Sequence, residues 1–451
     1  MGSSASAPEP ITSLAEATRY LDGLINRERS GAYVYARLDL RPIEALLDAI
    51  GRPHESLSVI HVAGSKGKGS TCLLTESILE SLGERVGTFT SPHLERWSER
   101  FRIAGREVDE ASLVAAVRRI RPAVDALRDG PPETLPSFFD ATTAIAFTLF
   151  AEANVDRAVV EVGLGGRLDS TNVVRPAVTC ITSIELEHTD QLGKTEAAIA
   201  GEKAGILKAG VPAILGALRA EAAEVIRKRA EQVGAPVWAR GEFFDVHAQA
   251  AQPPAQRIRF ESRGWGSIEA VIPFPGAAAV SNAGLAIACV RALGEHAEAA
   301  VREAARRGLA RAALPGRIEI LANDPAVIID AAHTERSAQV VAEALKTLAP
   351  EGYDLLFSIS SDKNVDAVLA ALLPQARRVW LTRADAQRSF DPDQLAEKVR
   401  TARPELRVDV VLDPAAASRS ARAALPTGRR LCAVGSVYLA GIARRVLGAG
   451  A

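Results

Sequence analysis

Short apolar runs alternate with stretches whose apolar positions recur every three or four residues, along almost the whole chain. The runs read as buried strands and the stretches as amphipathic helices packed on them, the pattern of an α/β protein with mostly parallel strands. Helices are expected over 13–27 and 41–50. Ser58-Val59-Ile60-His61-Val62-Ala63 then reads as a buried strand that enters a glycine-rich turn. A helix over 70–82 follows, with Leu73, Leu74, Ile78 and Leu82 at helical spacing. Further strands are expected at 158–162, 178–184 and 213–215, and helices at 282–293 and 297–310. Residues 129–136 and 248–255 are rich in breakers and read as loops. After Pro315-Gly316 the alternation becomes cleaner. Strands at 317–321, 326–331, 353–358, 378–382, 407–412 and 430–434 are mostly separated by helices at 337–348, 365–373, 393–402, 415–424 and 438–447. That is about 140 residues of doubly wound sheet, enough to fold as a domain. The expected division is therefore 1–297 and 298–451.

The length of 451 residues agrees with two large domains at roughly 100–200 residues each or somewhat more. Hydrophobic residues make up 47% and charged residues 24%, which excludes a disordered, collagen-like or coiled-coil chain. The net charge of −1 provides no bulk attraction to nucleic acid or to an anionic membrane. Cys72, Cys180, Cys289 and Cys432 are far apart in apolar runs, without a C-x-x-C pair. They read as buried reduced thiols of a cytoplasmic protein, not as a zinc site or a disulfide framework. No apolar stretch approaches a membrane span. Met1 to Ser6 satisfies the short myristoylation pattern, but the Ala- and Arg-rich composition suggests a bacterial source, in which the pattern carries no meaning.

Gly64-Ser65-Lys66-Gly67-Lys68-Gly69-Ser70 lies between the expected strand and helix. Glycines let the main chain curl so that successive N–H groups face one anion, and the helix N-terminus adds its positive end. Lys68 can reach terminal phosphates, and Ser70 a phosphate or a metal-bound water. The spacing departs from G-x4-G-K-[ST], because Val62 stands at the first glycine position and Gly69 separates Lys68 from Ser70. Nine lysines stand against 45 arginines, so two lysines among these glycines mark a nucleotide loop rather than an ordinary turn.

Four further segments follow in order: Thr90-Ser91-Pro92-His93-Leu94, Glu161 to Asp169, Glu187-His188-Thr189-Asp190, and Gly201 to Ile206. Those near strand ends converge on the loop if the sheet is parallel, because ligands collect at the carboxyl ends of such strands. A carboxylate, an imidazole and a hydroxyl beside bound phosphates suit Mg²⁺, which takes few protein ligands and keeps phosphate oxygens and water. Singly, each segment has an ordinary reading: a glycine-rich turn, a loop histidine, a solvated helix lysine.

In combination these motifs resemble the folylpolyglutamate synthase/dihydrofolate synthase family, a branch of the Mur ligases. Pro315-Gly316-Arg317, Asp330-Ala331-Ala332-His333, Asp362-Lys363 and Gly435-Ser436-Val437-Tyr438 extend the likeness over nearly the whole chain. The resemblance implies a P-loop-type Mur ligase central domain and a C-terminal Rossmann-like, doubly wound glutamate ligase domain. It implies an ATP- and Mg²⁺-dependent ligase that phosphorylates the carboxylate of dihydropteroate or a folate and joins L-glutamate to it. Carried over residue by residue, Gly64, Ser65, Lys66, Gly67, Lys68, Gly69 and Ser70 would hold ATP, with Asn282, Arg317 and Asp330. Ser91, Glu161 and His188 would bind Mg²⁺, and a carbamylated Lys203 would help to hold a second ion. Lys68, Lys203, His188 and Glu161 would carry the catalysis. Arg167, Asp169 and Ser170 would face the pterin substrate, and His333 and Ser436 the glutamate. The family implies a monomer with small-molecule substrates only, no nucleic acid and no membrane.

The chain departs from the family pattern in places. Ser65-Lys66 stands where Thr-Asn is frequent, and Ala277-Ala278 precede Asn282 without the usual His-Gln pair. Asp330-Ala331-Ala332-His333-Thr334 replaces Asp-Gly-Ala-His-Asn, and Phe139-Asp140 replaces Phe-Glu. Two other readings stand beside the folate one. They are a related amide ligase acting on another carboxylate, and a nucleotide-binding homologue with impaired catalysis. The Gly69-Ser70 ending and the mere 57 or so residues before the loop argue against a muramoyl ligase, which would need a uridine-nucleotide domain there.

Overall fold

The computed structural model describes residues 10–26, 28, 38–249, 253–321 and 326–448. Helices α1 (Leu14–Asp22) and α2 (Arg41–Ala49) precede strand β1 (Val59–Ala63), and α3 (Lys68–Ser81) links it to β2 (Val86–Phe89). The hairpin β3 (Phe101–Ile103) and β4 (Arg106–Glu107) comes next, then α4 (Glu110–Arg128), α5 (Phe138–Glu152), β5 (Arg157–Glu161) and β6 (Pro176–Ile181). A single turn, α6 (Thr189–Leu192), and α7 (Glu196–Ala204) lead to β7 (Ala213–Leu215), α8 (Ala220–Val233) and β8 (Val237–Ala239).

These strands form one sheet in the order β4-β3-β2-β5-β1-β6-β7-β8, parallel except for the β3–β4 edge. Every residue of β1 and β5 is buried, as expected of parallel strands covered on both faces. Helices α1, α2, α4 and α5 cover one face around Leu46, Phe89, Phe147 and Val160. On the other face α3 packs with a three-stranded antiparallel meander, β9 (Phe244–Gln249), β10 (Gln256–Ser262) and β11 (Trp265–Ile272), and with α9 (Ala277–Ala292) and α10 (Glu298–Arg311).

Helix α10 corrects the expected division at 297. Its buried face, Val301, Ala304, Ala305, Gly308 and Leu309, packs in the core of the first domain. Gly308 lets the two helices approach closely, since an added Cβ would overrun the Ser77 backbone, and Ser77 Oγ donates to Gly308 O at 2.7 Å. The first domain therefore runs on to the Pro315-Gly316 turn. Strand 178–184 ends at Ile181, the helix expected from 282 begins at Ala277, and the helix 13–27 ends at Asp22. The N-terminal Met1 to Ser6 pattern and part of the 248–255 stretch lie outside the described residues.

The second domain holds β12 (Glu319–Leu321), β13 (Val327–Ile329), α11 (Glu335–Leu348), β14 (Tyr353–Phe357), α12 (Val365–Leu372), β15 (Ala376–Leu381), α13 (Pro392–Ala402), β16 (Arg407–Val410), α14 (Pro414–Ala423), β17 (Arg430–Val434) and α15 (Val437–Gly448). The strand order is β12-β13-β17-β14-β15-β16, parallel except for β12. Helices α11, α12 and α13 cover one face, and α14 and α15 the other. Among the described residues no helix is long and apolar enough to cross a membrane.

Candidate active site

The carboxyl end of β1 turns through Gly64 (φ +147°) and Gly67 (φ +84°) into α3. Both glycines are required sterically. An added Cβ would strike Thr182 Oγ1 at Gly64 and Asn282 Oδ1 at Gly67, and the φ of Gly67 disfavours any side chain. The curl is pinned to the end of β6. Ser65 N donates to Ser183 O (2.8 Å), Lys66 N to Ser183 Oγ (2.9 Å), and Thr182 Oγ1 to Lys66 O (2.6 Å). Ser65 Oγ accepts from Glu185 N and donates to Glu185 O (3.0 and 3.2 Å). Lys68 opens α3, and its Nζ donates back to Gly64 O at 3.0 Å. The result is a rigid anion cradle at a helix N-terminus with an ammonium group on its rim.

Glu161, at the end of β5, lies against this cradle, where a Cβ on Gly69 would stand 3.2 Å from its Oε2. That oxygen accepts a hydrogen bond from Ser91 N at 2.9 Å. Burial pushes the Glu161 carboxyl above its ordinary value, against the pull of Lys68, the Ser91 N–H, Arg317 and Arg100. A buried carboxylate in that condition gains from a cation beside it.

Lys203, on α7, is fully enclosed and donates to Gly64 O (2.9 Å) and Glu187 Oε1 (3.2 Å). Burial pushes its ammonium down to about 8, despite the opposing Glu187. Glu187 is also 3.5 Å from Lys66 Nζ. Burial would raise its carboxyl, but Lys68, Lys203, Lys66 and His188 hold it below the usual range. His188 sits in the left-handed region (φ +47°) ahead of α6. Burial pushes its imidazole below the ordinary value despite Glu187, and the surrounding lysines act with burial. Burial thus favours the uncharged imidazole, the form that can ligate a metal.

Asp330 closes the other wall. Its two oxygens accept backbone N–H groups of its own domain, Ile318 N at 2.8 Å and Ala332 N at 2.7 Å. It holds Ile318 at φ +46°, an unusual conformation for a β-branched residue, and so shapes the turn that presents Arg317 and His333. Arg317 is exposed, and its charge is felt by both Asp330 and Glu161. His333 pairs through Nδ1 with Ala331 O (2.9 Å), and burial pushes it down to about 4, with Lys66, Lys363 and Arg317 contributing. Ser436 accepts from Tyr438 N at 3.2 Å at the start of α15. Apart from the enclosed Lys203, these side chains line one cleft of about 3280 Å³ between the two domains.

The expected pterin-side residues divide. Asp169 and Ser170 line the cleft, and Arg167 does not. Arg167 grips Glu202 of α7 with two bonds (2.9 and 3.1 Å), and its backbone abuts Gly205, so it braces the Lys203 helix. Asp169 accepts from Leu164 N (2.8 Å) and from Thr171 N and Oγ1 (3.0 and 2.5 Å). Thr171 Oγ1 in turn meets His61 Nε2 at 2.8 Å. Ser170 Oγ donates to Asp140 Oδ1 at 2.6 Å. Three contributors were not singled out from the sequence. Glu187 bridges Lys66 and Lys203, and Thr182 supports Gly64. Arg100, 1% exposed, reaches the cleft wall with His93 and the Glu28 carboxylate on its guanidinium. Glu187 carried a signal in its place beside His188. Arg100 carried none, because its partner Glu28 is 72 residues away.

Family models match over most of the chain: the Mur ligase middle domain over residues 62–290 and the Mur ligase glutamate ligase domain over 316–437. The chain is 35% identical over 477 aligned positions to a dihydrofolate synthase/folylpolyglutamate synthase of Mycobacterium tuberculosis, covering 98% of this chain and 95% of that protein. Its structure superposes on Mycobacterium tuberculosis folylpolyglutamate synthase complexed with ADP at a TM-score of 0.85 and 33% identity, over 96% of this chain and 98% of the other. A bifunctional folylpolyglutamate synthase/dihydrofolate synthase with Mn, AMPPNP and L-glutamate bound superposes at 0.81 and 29% identity, over 98% and 99%.

Proposed function

The chain belongs to the folylpolyglutamate synthase/dihydrofolate synthase family of Mur ligases, and on that premise we propose that it joins L-glutamate to dihydropteroate or a folate at the expense of ATP, through an acyl phosphate. The observation that carries the reading is the single cleft onto which the Lys68 cradle, Glu161 and Ser91 of one domain and Arg317, His333 and Ser436 of the other all open. An ATP-dependent amide ligation needs phosphate chemistry and amine delivery to meet in one water-poor space.

The cradle amides and Lys68 orient the ATP phosphates and offset the charge that develops on the transferred group. The residues present fit Mg²⁺. Among the described residues no three His, Cys, Asp or Glu side chains converge as an all-protein cage, and Mg²⁺ takes one or two carboxylates plus phosphate oxygens. Glu161, Ser91 and His188 would hold it, and when bound it would supply charge neutralisation at the phosphate oxygens. Lys203, as an ammonium, donates to Gly64 and Glu187 and ligates nothing. Its lowered basicity favours the free amine that reacts with CO₂, so a carbamate there would add a carboxylate-like ligand. Arg317 would meet the phosphates from the second domain, and His333 and Ser436 the glutamate. The acceptor would lie along Phe139, Asp169 and Ser170, which line the same cleft. Arg167 acts behind this wall, and Asp330 through the turn it shapes.

The test is a product mass spectrum from ATP, Mg²⁺ and L-glutamate with dihydropteroate, tetrahydrofolate and muramoyl precursors offered separately. One added glutamyl residue on a pteroate supports the proposal. Glutamate addition to a muramoyl precursor alone, or none to any acceptor, refutes it.

A further inference from the structure

The segment that leaves β2 touches both halves of the molecule. Ser91 N holds the Glu161 carboxylate. Three residues later the partly buried Leu94 side chain leaves its own domain and packs against the apolar cluster of the second that includes Ile329, Leu439 and Ala440. Two glycines form the socket. A Cβ on Gly316 would stand 2.9 and 3.0 Å from Leu94 Cδ1 and Cδ2, and one on Gly441 would overrun the Leu94 carbonyl.

The backbone around the knob is fixed from within the first domain. Glu99 accepts Leu94 N at 2.7 Å, Glu95 N at 3.2 and 3.3 Å, and Arg96 N at 3.0 Å. Around the socket the second domain supplies a charged collar. Arg444 donates to both oxygens of Glu319 (2.9 and 3.0 Å) and stands 3.8 Å from Glu95. Glu319 also accepts Gly316 N at 2.9 Å. Gly316 is the neighbour of Arg317, whose charge reaches Glu161. Among the described residues no helix or strand of one domain packs broadly on one of the other. A single apolar side chain in a smooth socket keeps its burial while the socket turns around it, because the hydrophobic effect has no direction.

We propose that Leu94 is the pivot on which the second domain seats, and that this seating aligns Ser91 and Glu161 with Arg317 for ligation. Leu94 is thus a positioning residue. It touches no reactant, and it ties the location of the glutamate-bearing wall to the carboxylate beside the phosphate cradle.

Its kinetic test rests on the ligase reading above, and its scattering test does not. Leu94→Ala should lower kcat for glutamate-dependent phosphate release by roughly tenfold or more and raise the glutamate KM, as misplacement of a reacting group does. A loss of folded protein alone would leave that KM unchanged. Leu94→Met, of similar volume, should stay within about threefold of the wild type. Gly316→Ala carries a backbone cost at φ +62° in either background, while its further cost against the Leu94 methyls should disappear with Leu94→Ala, so the two changes should be non-additive. Small-angle X-ray scattering with Mg²⁺ and a non-hydrolysable ATP analogue should show Leu94→Ala more open than the wild type and Leu94→Met alike. Wild-type kinetics and scattering for Leu94→Ala, equal damage from alanine and methionine, or independent effects of the 94 and 316 changes would each overturn the pivot. If the wild type ligates no folate, the function proposal fails and the scattering result alone decides the pivot.

Discussion

Replacing His61 by glutamine tests the buried chain of contacts beneath the acceptor wall. His61 is fully enclosed on β1, and Thr171 Oγ1 already donates to Asp169 Oδ1, so it must accept from His61 Nε2. His61 therefore carries a proton on Nε2, and its buried Nδ1 has no acceptor for a second one, so the enclosed ring is neutral. Burial, with the charge of Lys208 acting the same way, pushes its pKa down to about 3 from the ordinary 6.5. Between those values the unfolded chain binds a proton that the native protein refuses. Stability contributed by neutral His61 is complete above pH 6.5 and is lost as the pH falls, by about 1.4 kcal/mol per unit. From about pH 6.5, where the unfolded imidazole is half protonated, to about pH 4.5 the loss from this residue is about 2 kcal/mol. Glutamine keeps an N–H donor and does not titrate. Asp169, whose carboxyl burial raises, works in the opposite direction but is present in both proteins and cancels in the difference. Urea unfolding followed by circular dichroism across this range should show the variant gaining on the wild type by that amount toward acid. A difference in unfolding free energy that stays flat with pH would refute the reasoning.

Three further outcomes concern the site itself. Lys68→Ala should lower glutamate-dependent phosphate release by roughly 100-fold or more, as loss of a preorganised charge at a transferring group does; an unchanged kcat would remove the loop from the mechanism. Lys203→Ala should lower turnover and regain part of it with added short carboxylic acids, and a fully active variant would show that no carbamate is needed. Arg167→Ala should cost less than about 1 kcal/mol in thermal stability and leave the acceptor KM unaltered, because its pair with Glu202 is half exposed; a large rise in that KM would place Arg167 at the substrate after all.

The parts of the fold that were legible are those whose burial pattern matches one periodicity. Strands β1, β5, β13, β14 and β17 are covered on both faces, so they stand out as mostly apolar runs. The meander was not read. Ile258 and Phe260, and Ile268, Ala270 and Ile272, do alternate, but Arg257, Arg259 and Glu261 between them make the segments look like solvated surface. Helix α4 hid in the same way, with Val117 and Ile120 set among Arg118, Arg119 and Arg121. The positions of Lys68, Ser91, Glu161, His188 and Lys203 were legible because each sits at or near the end of an element beside the cradle. The backbone partners of Asp330 and the Glu202 partner of Arg167 were not, since only the folded chain brings them near.

The Ser77–Gly308 crossing has a mechanical consequence. Helix α3 begins at the anion cradle and is tied to α10 near its far end, so the phosphate side of the cleft has an anvil braced at both ends. On the proposed reaction the amino acid would come from the opposite jaw, and variation in that jaw would alter the cargo without disturbing the anvil.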